Sequence, residues 1–296
     1  MRAPQTPPPT VSARWLLTAA SLALVAAAAC AWLALCFVFW QGNWQLLYHP
    51  TSAVTRTPAS VALAFDPVGF ATTEAGEPRL KGWWIAAEPG ARYARFTVLY
   101  LHSQTGNLGD AVDELAALHE SGVNVLAFDY RGYGQSQFAH PSEVHWREDA
   151  EWALQYLTAT RHVPAGSIVV DGEGLGANLA LEVAAAHPEL AGVVLHEPLD
   201  DPADAIFRDP RAKLVPARLL CKDRFDERAA ALALLIPSLW FLPASTQTRG
   251  DASEYPEALQ ATSSRYMVGW VDSSHPDGKD LLWRWLHGLA ENPVVP

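Results

Sequence analysis

The chain is poor in cysteine. Its three cysteines are Cys30, Cys36 and Cys221, and the first two lie in an apolar N-terminal segment. A single cysteine in the remaining chain excludes a disulfide framework and a thiolate metal site there. We therefore expect no metal and no other cofactor, and cysteine usage indicates nothing about the redox compartment.

Basic residues are also scarce. The chain has 21 lysine and arginine residues against 32 aspartate and glutamate residues, which gives a formal net charge of -11. A surface with this balance repels the phosphate backbone of nucleic acids, so we expect no nucleic-acid partner. Hydrophobic residues make up 50% of the chain, which is enough for a sizeable core in one large domain or two small ones.

One long stretch contains no charged residue at all. It runs from Trp15 to Trp40 and reads WLLTAASLALVAAAACAWLALCFVFW. About 20 apolar residues span a bilayer as a helix, so the stretch predicts a membrane anchor and a lipid bilayer as partner. A cleaved signal peptide is the alternative, since Ala27 and Ala29 form a small-residue cleavage pattern. The apolar run continues past that pattern, and this continuation favours an uncleaved anchor over a signal peptide or a lipoprotein at Cys30.

The charges around this stretch predict its orientation. Arg2 and Arg14 precede it, and only Arg56 follows it closely. Because basic residues accumulate on the cytoplasmic side, we expect a single-pass protein with a cytoplasmic N-terminus and the main domain on the outer (periplasmic or extracytoplasmic) side. The predicted organisation is a disordered N-terminus (1–12), a transmembrane anchor (13–40), a lead-in segment (41–60) and a main domain (61–296).

Short apolar strands alternate with helical patterns from Thr97 onward. TVLYLH, VNVLAFD, SIVV, GVVLHE, SLWFL and YMVGWV are strand-like, and helical patterns follow them, including one near YPEALQ. Before them, GFATTEAGEPRLKGWWIAAEPG predicts a hairpin, and residues 198–228 are predicted to be irregular. Alternation of this kind indicates βαβ units, hence an α/β fold with a mostly parallel sheet and helices on both faces.

The turn DGEGLGA, which follows the strand SIVV, has two interpretations. As G-x-G-x-x-A it matches a dinucleotide-binding fingerprint, with Glu197 placed where a ribose-binding acid belongs. As G-x-S-x-G it matches a nucleophile elbow in which Gly174 stands in the serine position. A dinucleotide fingerprint normally opens its unit, whereas two strand–helix units precede this turn, and this order favours the elbow.

Several motifs occur in the order found in one known family. LYLHSQTGN resembles the Leu-His-Gly-x-x-Gly-Asn loop of α/β-hydrolases, and DYRGYGQS matches that family's Asp-Tyr-Arg-Gly-Tyr-Gly-x-Ser turn almost residue for residue. GEGLGANLALEVAAAHPELAGVVLHEP resembles the elbow, its helix and the next strand, and SSHPD lies where the histidine loop belongs. From about Tyr48 to its C-terminus, the chain resembles membrane-anchored, single-span serine hydrolases of the α/β-hydrolase superfamily, which cleave esters, amides or acyl-glycerols.

The resemblance implies a serine mechanism, in which a histidine activates the nucleophile and an acid orients the histidine. Carried over to this chain, the nucleophile position is Gly174, which has no side chain, and the base position is His275. Thr246 occupies the expected acid position, and Asp251 is a displaced alternative acid.

The resemblance also implies an oxyanion hole, formed by the backbone N–H groups of Leu175 and Gln104. Ser103 replaces the glycine usual after the histidine, and we expect its side chain to crowd this hole. The departures at positions 103, 174 and 246 fall within one functional unit.

These departures predict a pseudoenzyme, a catalytically silent or impaired homologue that keeps a binding role with an acyl-type small molecule as ligand. An active hydrolase of esters, amides or acyl-glycerols with a non-standard nucleophile is the first alternative, and Ser103 is the nearby candidate. A nucleotide-binding protein that uses the GEGLGA turn is the second alternative.

Overall fold

A long apolar helix leads into the folded chain. The computed structural model describes residues 12–242, 266–269 and 276–291, and its first helix, α1, covers Ala13–Gly42. The hydroxyl of Ser12 caps this helix by accepting a hydrogen bond from the backbone N–H of Trp15 at 3.3 Å. Within these ranges, α1 with the turn after it is the one helix whose length and composition suit a membrane span.

Ten strands form the β-structure of the described residues. In chain order they are β1 (His49–Pro50), β2 (Asp66–Thr72), β3 (Pro78–Ile85), β4 (Thr97–Leu101), β5 (Thr105–Gly106), β6 (Asn124–Asp129), β7 (Ile168–Glu173), β8 (Gly192–His196), β9 (Ser238–Phe241) and β10 (Tyr266–Gly269). β1 and β5 form a separate parallel pair, and the other eight strands form one sheet with the order β10-β9-β8-β7-β4-β6-β3-β2. Neighbouring strands are parallel from β10 to β6, whereas β3 runs antiparallel to both β6 and β2. The predicted mostly parallel sheet is confirmed.

Seven further helices lie in the described part of the chain. They are α2 (Val112–Glu120), α3 (Glu143–Gln155), α4 (Leu175–Ala186), α5 (Asp204–Arg208), α6 (Ala217–Leu220), α7 (Glu227–Ala233) and α8 (Pro276–Glu291). Shorter turns of 3₁₀ or π type cover Asn43–Leu46, Pro58–Val61, Leu108–Ala111, Tyr156–Thr160, Ala165–Ser167 and Pro210–Lys213.

Helices cover both faces of the sheet. Residues of α3, α4 and α7 belong to one apolar core, and residues of α2 and α8 belong to a second core on the opposite face. Every residue of β4 is buried, because this strand lies between the two covered faces. After Thr97 its sequence is therefore a continuous run of hydrophobic residues rather than an alternating one, as is usual for a central parallel strand.

The antiparallel hairpin predicted before Thr97 is present, with Phe70 of β2 opposite Leu80 of β3. The prediction of an irregular segment at 198–228 is wrong in part, because α5, α6 and the start of α7 lie there. These helices are short because Pro210 and Pro216 lack a backbone N–H and start new turns rather than continue the preceding ones. The helix predicted near YPEALQ lies outside the described residues.

The end of α1 joins the core of the domain. Cys36 and Phe39 in its last turns, and Leu47 and Tyr48 just after it, are buried in the same core as α4. The ring of Tyr48 packs against Trp146 of α3, with 5.3 Å between the ring centroids. The last turns of α1 and the segment after it therefore form part of the folded domain.

Candidate active site

The sheet order determines where a ligand crevice can form. β4 lies between β6 and β7, so the chain moves to one side of β4 first and to its other side later. In parallel α/β sheets, a switch point of this kind opens a crevice at the carboxyl ends of the two strands. Ser103 and Gln104 come shortly after β4, and Gly174 comes directly after β7, so the topology brings these residues to the same edge.

Gly174 forms the sharp turn between β7 and α4. Its backbone has φ 55° and ψ -122°, and its N–H donates to the carbonyl of His196 at 2.9 Å. The positive φ lies in the region that favours glycine, and a residue with a side chain is strained there. The strand–turn–helix predicted for this stretch is present, and the turn has the tight geometry of an elbow.

Gly176 allows the elbow to pack closely on the neighbouring strand. A Cβ at this position would overlap the backbone carbonyl oxygens of Leu101 and His102, which end β4 and begin the next loop. Glycine is therefore needed at this position for the contact between the first turn of α4 and β4. This packing explains the glycine without a bound phosphate, so it does not support the dinucleotide interpretation.

The side chain of Gln104 lies across the elbow. Its amide oxygen Oε1 accepts a hydrogen bond from the backbone N–H of Leu175 at 3.1 Å. The same oxygen lies 3.1 Å from the position that a Cβ on Gly174 would take, and the Cβ of Ser103 lies 3.4 Å from that position. Gln104 thus satisfies an otherwise free N–H at the start of α4 with a group from its own chain, and it fills the space above Gly174.

Four of the site residues predicted from the sequence are close together in the structure: Gly174, Leu175, Gln104 and Ser103. The predicted base and the two predicted acid positions lie outside the described residues. The roles assigned to them stay predictions, and these three positions are His275, Thr246 and Asp251.

His102 supports the loop that carries Ser103 and Gln104. Its ring is buried, and one ring nitrogen, Nδ1, donates to the carbonyl of Ser103 at 2.8 Å. The hydroxyl of Tyr130 donates to the backbone carbonyl of His102 at 3.1 Å, and that of Tyr133 donates to the carbonyl of Gln104 at 2.8 Å. Burial lowers the pKa of His102 to about 4, so the ring is neutral at pH 7 and has a structural role in the loop.

A polar cluster that the sequence interpretation missed lies beside the elbow, at the ends of β4, β7 and β8. The hydroxyl of Tyr100 donates to the carboxylate of Glu173 at 2.9 Å, and His196 Nε2 lies 3.1 Å from Asp171 Oδ1. The ring of His196 stacks on Phe241, with 4.9 Å between the ring centroids. Polar residues near the ends of the otherwise apolar strands IVVDGE and GVVLH are the sequence signal that could have indicated this cluster.

The pair of His196 and Asp171 predicts a stability that depends on pH. Burial by itself lowers the pKa of His196, but the carboxylates of Asp171, Glu173 and Glu197 outweigh it, so the pKa is raised above 6.5. A raised histidine pKa stabilises the fold fully below the unfolded pKa of about 6.5, and this stability is lost as the pH rises through the folded pKa. We expect the melting temperature of His196→Gln to fall below that of the wild type at pH 6 and to approach it by pH 9. Thermal unfolding of both proteins between these pH values measures the difference, and a difference independent of pH would contradict the ion pair.

Acidic, histidine and cysteine side chains do not cluster as metal ligands in the described ranges. Across residues 12–242, 266–269 and 276–291, no group of three or more of them could hold a metal ion.

The fold and the elbow define an α/β protein with a site at the carboxyl edge of its parallel sheet. The profile of the alpha/beta hydrolase fold matches residues 97–275, which is more than half of the chain. The chain therefore belongs to the α/β-hydrolase superfamily, as the motifs predicted.

Similar proteins come from several kingdoms. An uncharacterized protein of Mycobacterium tuberculosis, Rv2307c, is 28% identical over 261 residues, which cover 86% of this chain and 90% of that protein. The alpha/beta hydrolase domain-containing protein WAV2 of Arabidopsis thaliana is 26% identical over 159 residues, which cover 52% of this chain and 50% of that protein. The structure of the esterase Pf2001 of Pyrococcus furiosus superposes with a TM-score of 0.60 at 20% identity, covering 82% of this chain and 98% of the esterase. This last likeness shows the shared fold.

Proposed function

We propose that this protein is a membrane-anchored α/β-hydrolase-fold protein that does not carry out serine hydrolysis and instead binds an acyl-type small molecule. The observation that carries the proposal is Gly174 at the elbow, where serine hydrolases of this fold hold the nucleophile. Glycine has no oxygen to attack a carbonyl. Loss of the serine in such an enzyme reduces the rate by about 10⁶-fold.

The position of Gln104 supports the same proposal. An acyl carbonyl or carboxylate reaches the oxyanion hole by accepting a hydrogen bond from the N–H after the nucleophile, which is Leu175 here. The amide oxygen of Gln104 already accepts from that N–H. A ligand oxygen must therefore replace the Gln104 oxygen at this N–H, and this exchange reduces the affinity of the ligand. Binding, rather than cleavage, is then the activity that remains for the site.

Ser103 is the basis of a second candidate function, a hydrolase with a non-standard nucleophile. Its Cβ lies 3.4 Å from the position of a Cβ on Gly174, although its hydroxyl oxygen lies more than 4 Å from that position. A serine needs a neighbouring base to become a nucleophile, and the ring of the adjacent His102 hydrogen-bonds to the backbone carbonyl of Ser103 rather than to its hydroxyl. The dinucleotide interpretation is not proposed. The glycine turn packs on β4, and the amide oxygen of Gln104 already accepts from the first backbone N–H of α4, where a phosphate would bind.

Binding of an acyl ligand is tested by thermal unfolding of the full-length protein in lipid nanodiscs. We expect oleic acid at a hundredfold excess over its Kd to add about 2.7 kcal/mol of stability, which corresponds to a melting temperature raised by about 5–10 °C. Gln104→Ala should bind oleic acid more tightly, because the N–H of Leu175 is then free for the ligand. Octadecane is the control ligand without a carboxylate. Equal responses of both proteins to oleic acid and octadecane would contradict a site at the elbow.

We also propose that α1 anchors the protein in the membrane, with the N-terminus in the cytoplasm and the main domain outside. The length of α1, its apolar composition and its small buried fraction support the anchor. Arg2 and Arg14, which precede the apolar stretch, support the orientation. The protein should stay with the membrane fraction after washes with high salt and with alkaline carbonate, since neither weakens hydrophobic insertion. To test the orientation, protease is added to cells whose outer envelope has been permeabilised while the membrane that holds α1 stays intact. Under these conditions the protease should digest the main domain. Release by carbonate would contradict the anchor, and a protected domain would contradict the orientation.

A further inference from the structure

The level of the membrane surface along α1 follows from its contacts. Residues 13–31 are almost entirely exposed, whereas the domain begins to contact the helix at Trp32, whose indole N–H donates to the backbone carbonyl of Leu214 at 3.0 Å. At 1.5 Å per residue, residues 13–31 measure about 28 Å, close to the hydrocarbon thickness of about 30 Å. If residues 13–31 cross the hydrocarbon layer, the membrane surface lies at Trp32. Leu214, which is hydrogen-bonded to Trp32, then also lies at the membrane surface.

Leu214 belongs to a surface that is both apolar and basic. We define the cap surface as the exposed residues between α5 and the loop after α6. Leu214 and Leu219 are the apolar members, with 61% and 81% of their surface exposed. Its basic members are Arg208, Arg211, Lys213, Arg218, Lys222 and Arg224. Residues 204–226 hold these six basic residues and four acidic residues, in a chain whose formal net charge is -11.

The basic side chains of the cap surface are only partly engaged within the protein. Arg208 pairs with Asp204, Arg211 pairs with Asp209 at 2.8 Å, and the guanidinium of Arg218 lies over the ring of Phe207 at 4.9 Å. The ammonium groups of Lys213 and Lys222 have no ion-pair partner among the described residues. Two lysines beside exposed leucines thus remain available to a negatively charged partner.

A groove opens on the same surface. Its volume is 410 Å³, and its lining combines apolar side chains, such as Phe207 and Val215, with Lys213 and Arg218. Apolar side chains with basic groups around them match the boundary between lipid headgroups and acyl chains, where leucines enter the apolar layer and basic groups contact the headgroups.

We propose that the cap surface docks on the anionic lipid headgroups of the bilayer that holds α1. The proposal rests on the proposed anchor, because α1 packs against α6 and thereby sets the cap surface beside the membrane. Leu214 and Leu219 enter the interface, while Lys213 and Lys222 contact the headgroups. The cap surface follows β8 and so belongs to the edge of the sheet that carries Gly174. Docking therefore turns the elbow crevice toward the bilayer, from which an acyl ligand can enter.

The test measures the depth of nitroxide spin labels on the full-length protein in nanodiscs. Cys30→Ala removes the exposed native cysteine, while the buried Cys36 and Cys221 remain. Single labels are then placed by Leu219→Cys on the cap surface and by Gly166→Cys at the opposite edge of the sheet, where an added Cβ meets no atom closer than 3.8 Å. In nanodiscs with 30% phosphatidylglycerol in phosphatidylcholine, we expect the label at 219 to be relaxed mainly by oxygen and the label at 166 mainly by a water-soluble nickel chelate.

Charge variants and a label on the anchor separate the outcomes. Lys213→Gln/Lys222→Gln should return the label at 219 to nickel accessibility, whereas Lys213→Arg/Lys222→Arg should leave it at depth. A third label, from Val25→Cys, reports the anchor by itself. If the label at 25 is in the bilayer while the label at 219 is as accessible to nickel as the label at 166, docking is overturned and the anchor stands. If the label at 25 is accessible to nickel, the anchor fails and docking fails with it.

Discussion

A fluorophosphonate probe is expected to leave the wild-type protein unlabelled and to label the variant Gly174→Ser/Gln104→Ala. The first substitution supplies the missing hydroxyl, and the second removes the amide oxygen that lies 3.1 Å from the new Cβ and accepts from Leu175. If His275 serves as base, the variant should also cleave activated esters such as p-nitrophenyl butyrate. The difference between a serine enzyme and its serine-less form is about 10⁶-fold, so even a partial repair is measurable above the wild type.

Matched variants show whether the gain comes from the predicted machinery. Gly174→Ala/Gln104→Ala carries the same backbone strain at a positive φ, about 1–3 kcal/mol, but has no hydroxyl, so it should stay unlabelled. His275→Ala in the repaired variant should abolish the labelling, since nucleophile and base act as a unit. Thr246→Asp in the repaired variant should raise the rate, because an acid at this position holds the histidine in the productive tautomer.

Two outcomes would overturn the proposed loss of hydrolysis or its mechanism. Labelling of the wild type that maps to Ser103 or another serine would establish an active hydrolase with a non-standard nucleophile. Full labelling of the repaired variant after His275→Ala would show that another base serves the elbow.

Asp149→Ala is expected to destabilise the protein by about 3–5 kcal/mol, because it removes the buried counter-charge of a buried guanidinium and leaves it paired only with the half-exposed Glu148. Asp149 has no exposed surface, and one of its carboxylate oxygens lies 2.6 Å from Nε of Arg131. The other oxygen accepts the backbone N–H of Arg131 at 2.8 Å, so the same carboxylate also holds the DYRGYGQS turn. The melting temperature of the full-length protein in detergent should fall by about 6–20 °C.

Glu148→Ala is the matched control, because Glu148 pairs with the same guanidinium at 2.7 Å but has half of its side chain exposed. Exposed ion pairs contribute about 0–1 kcal/mol, so this variant should melt within about 3 °C of the wild type. The guanidinium also lies over the ring of Trp152 at 4.6 Å, a contact that both variants keep. Equal effects of the two substitutions would show that burial does not distinguish these ion pairs.

Local sequence patterns were sufficient to predict the architecture. Alternating strands and helices predicted the parallel sheet, because strands covered on both faces must be apolar throughout. The turn at Gly174 and the motif DYRGYGQS are contiguous in the chain, so their resemblance to α/β-hydrolases could be seen without coordinates. The charge-free stretch predicted α1 for the same reason, since length and composition alone decide whether a helix suits a bilayer. In the segment 198–228, the local signals were weaker, and short helices between prolines were missed.

Only the tertiary structure decided which distant side chains meet. Gln104 and Leu175 are 71 positions apart, and Trp32 and Leu214 are 182 positions apart, yet hydrogen bonds join both pairs. The first contact shows that the space above Gly174 is filled by the chain itself, and the second sets the cap surface beside α1. No local pattern encodes such contacts, because they depend on the crossing of strands in the sheet and on the direction of each side chain after packing. The sequence by itself therefore determined the fold and the place of the elbow, and the tertiary structure determined what occupies it.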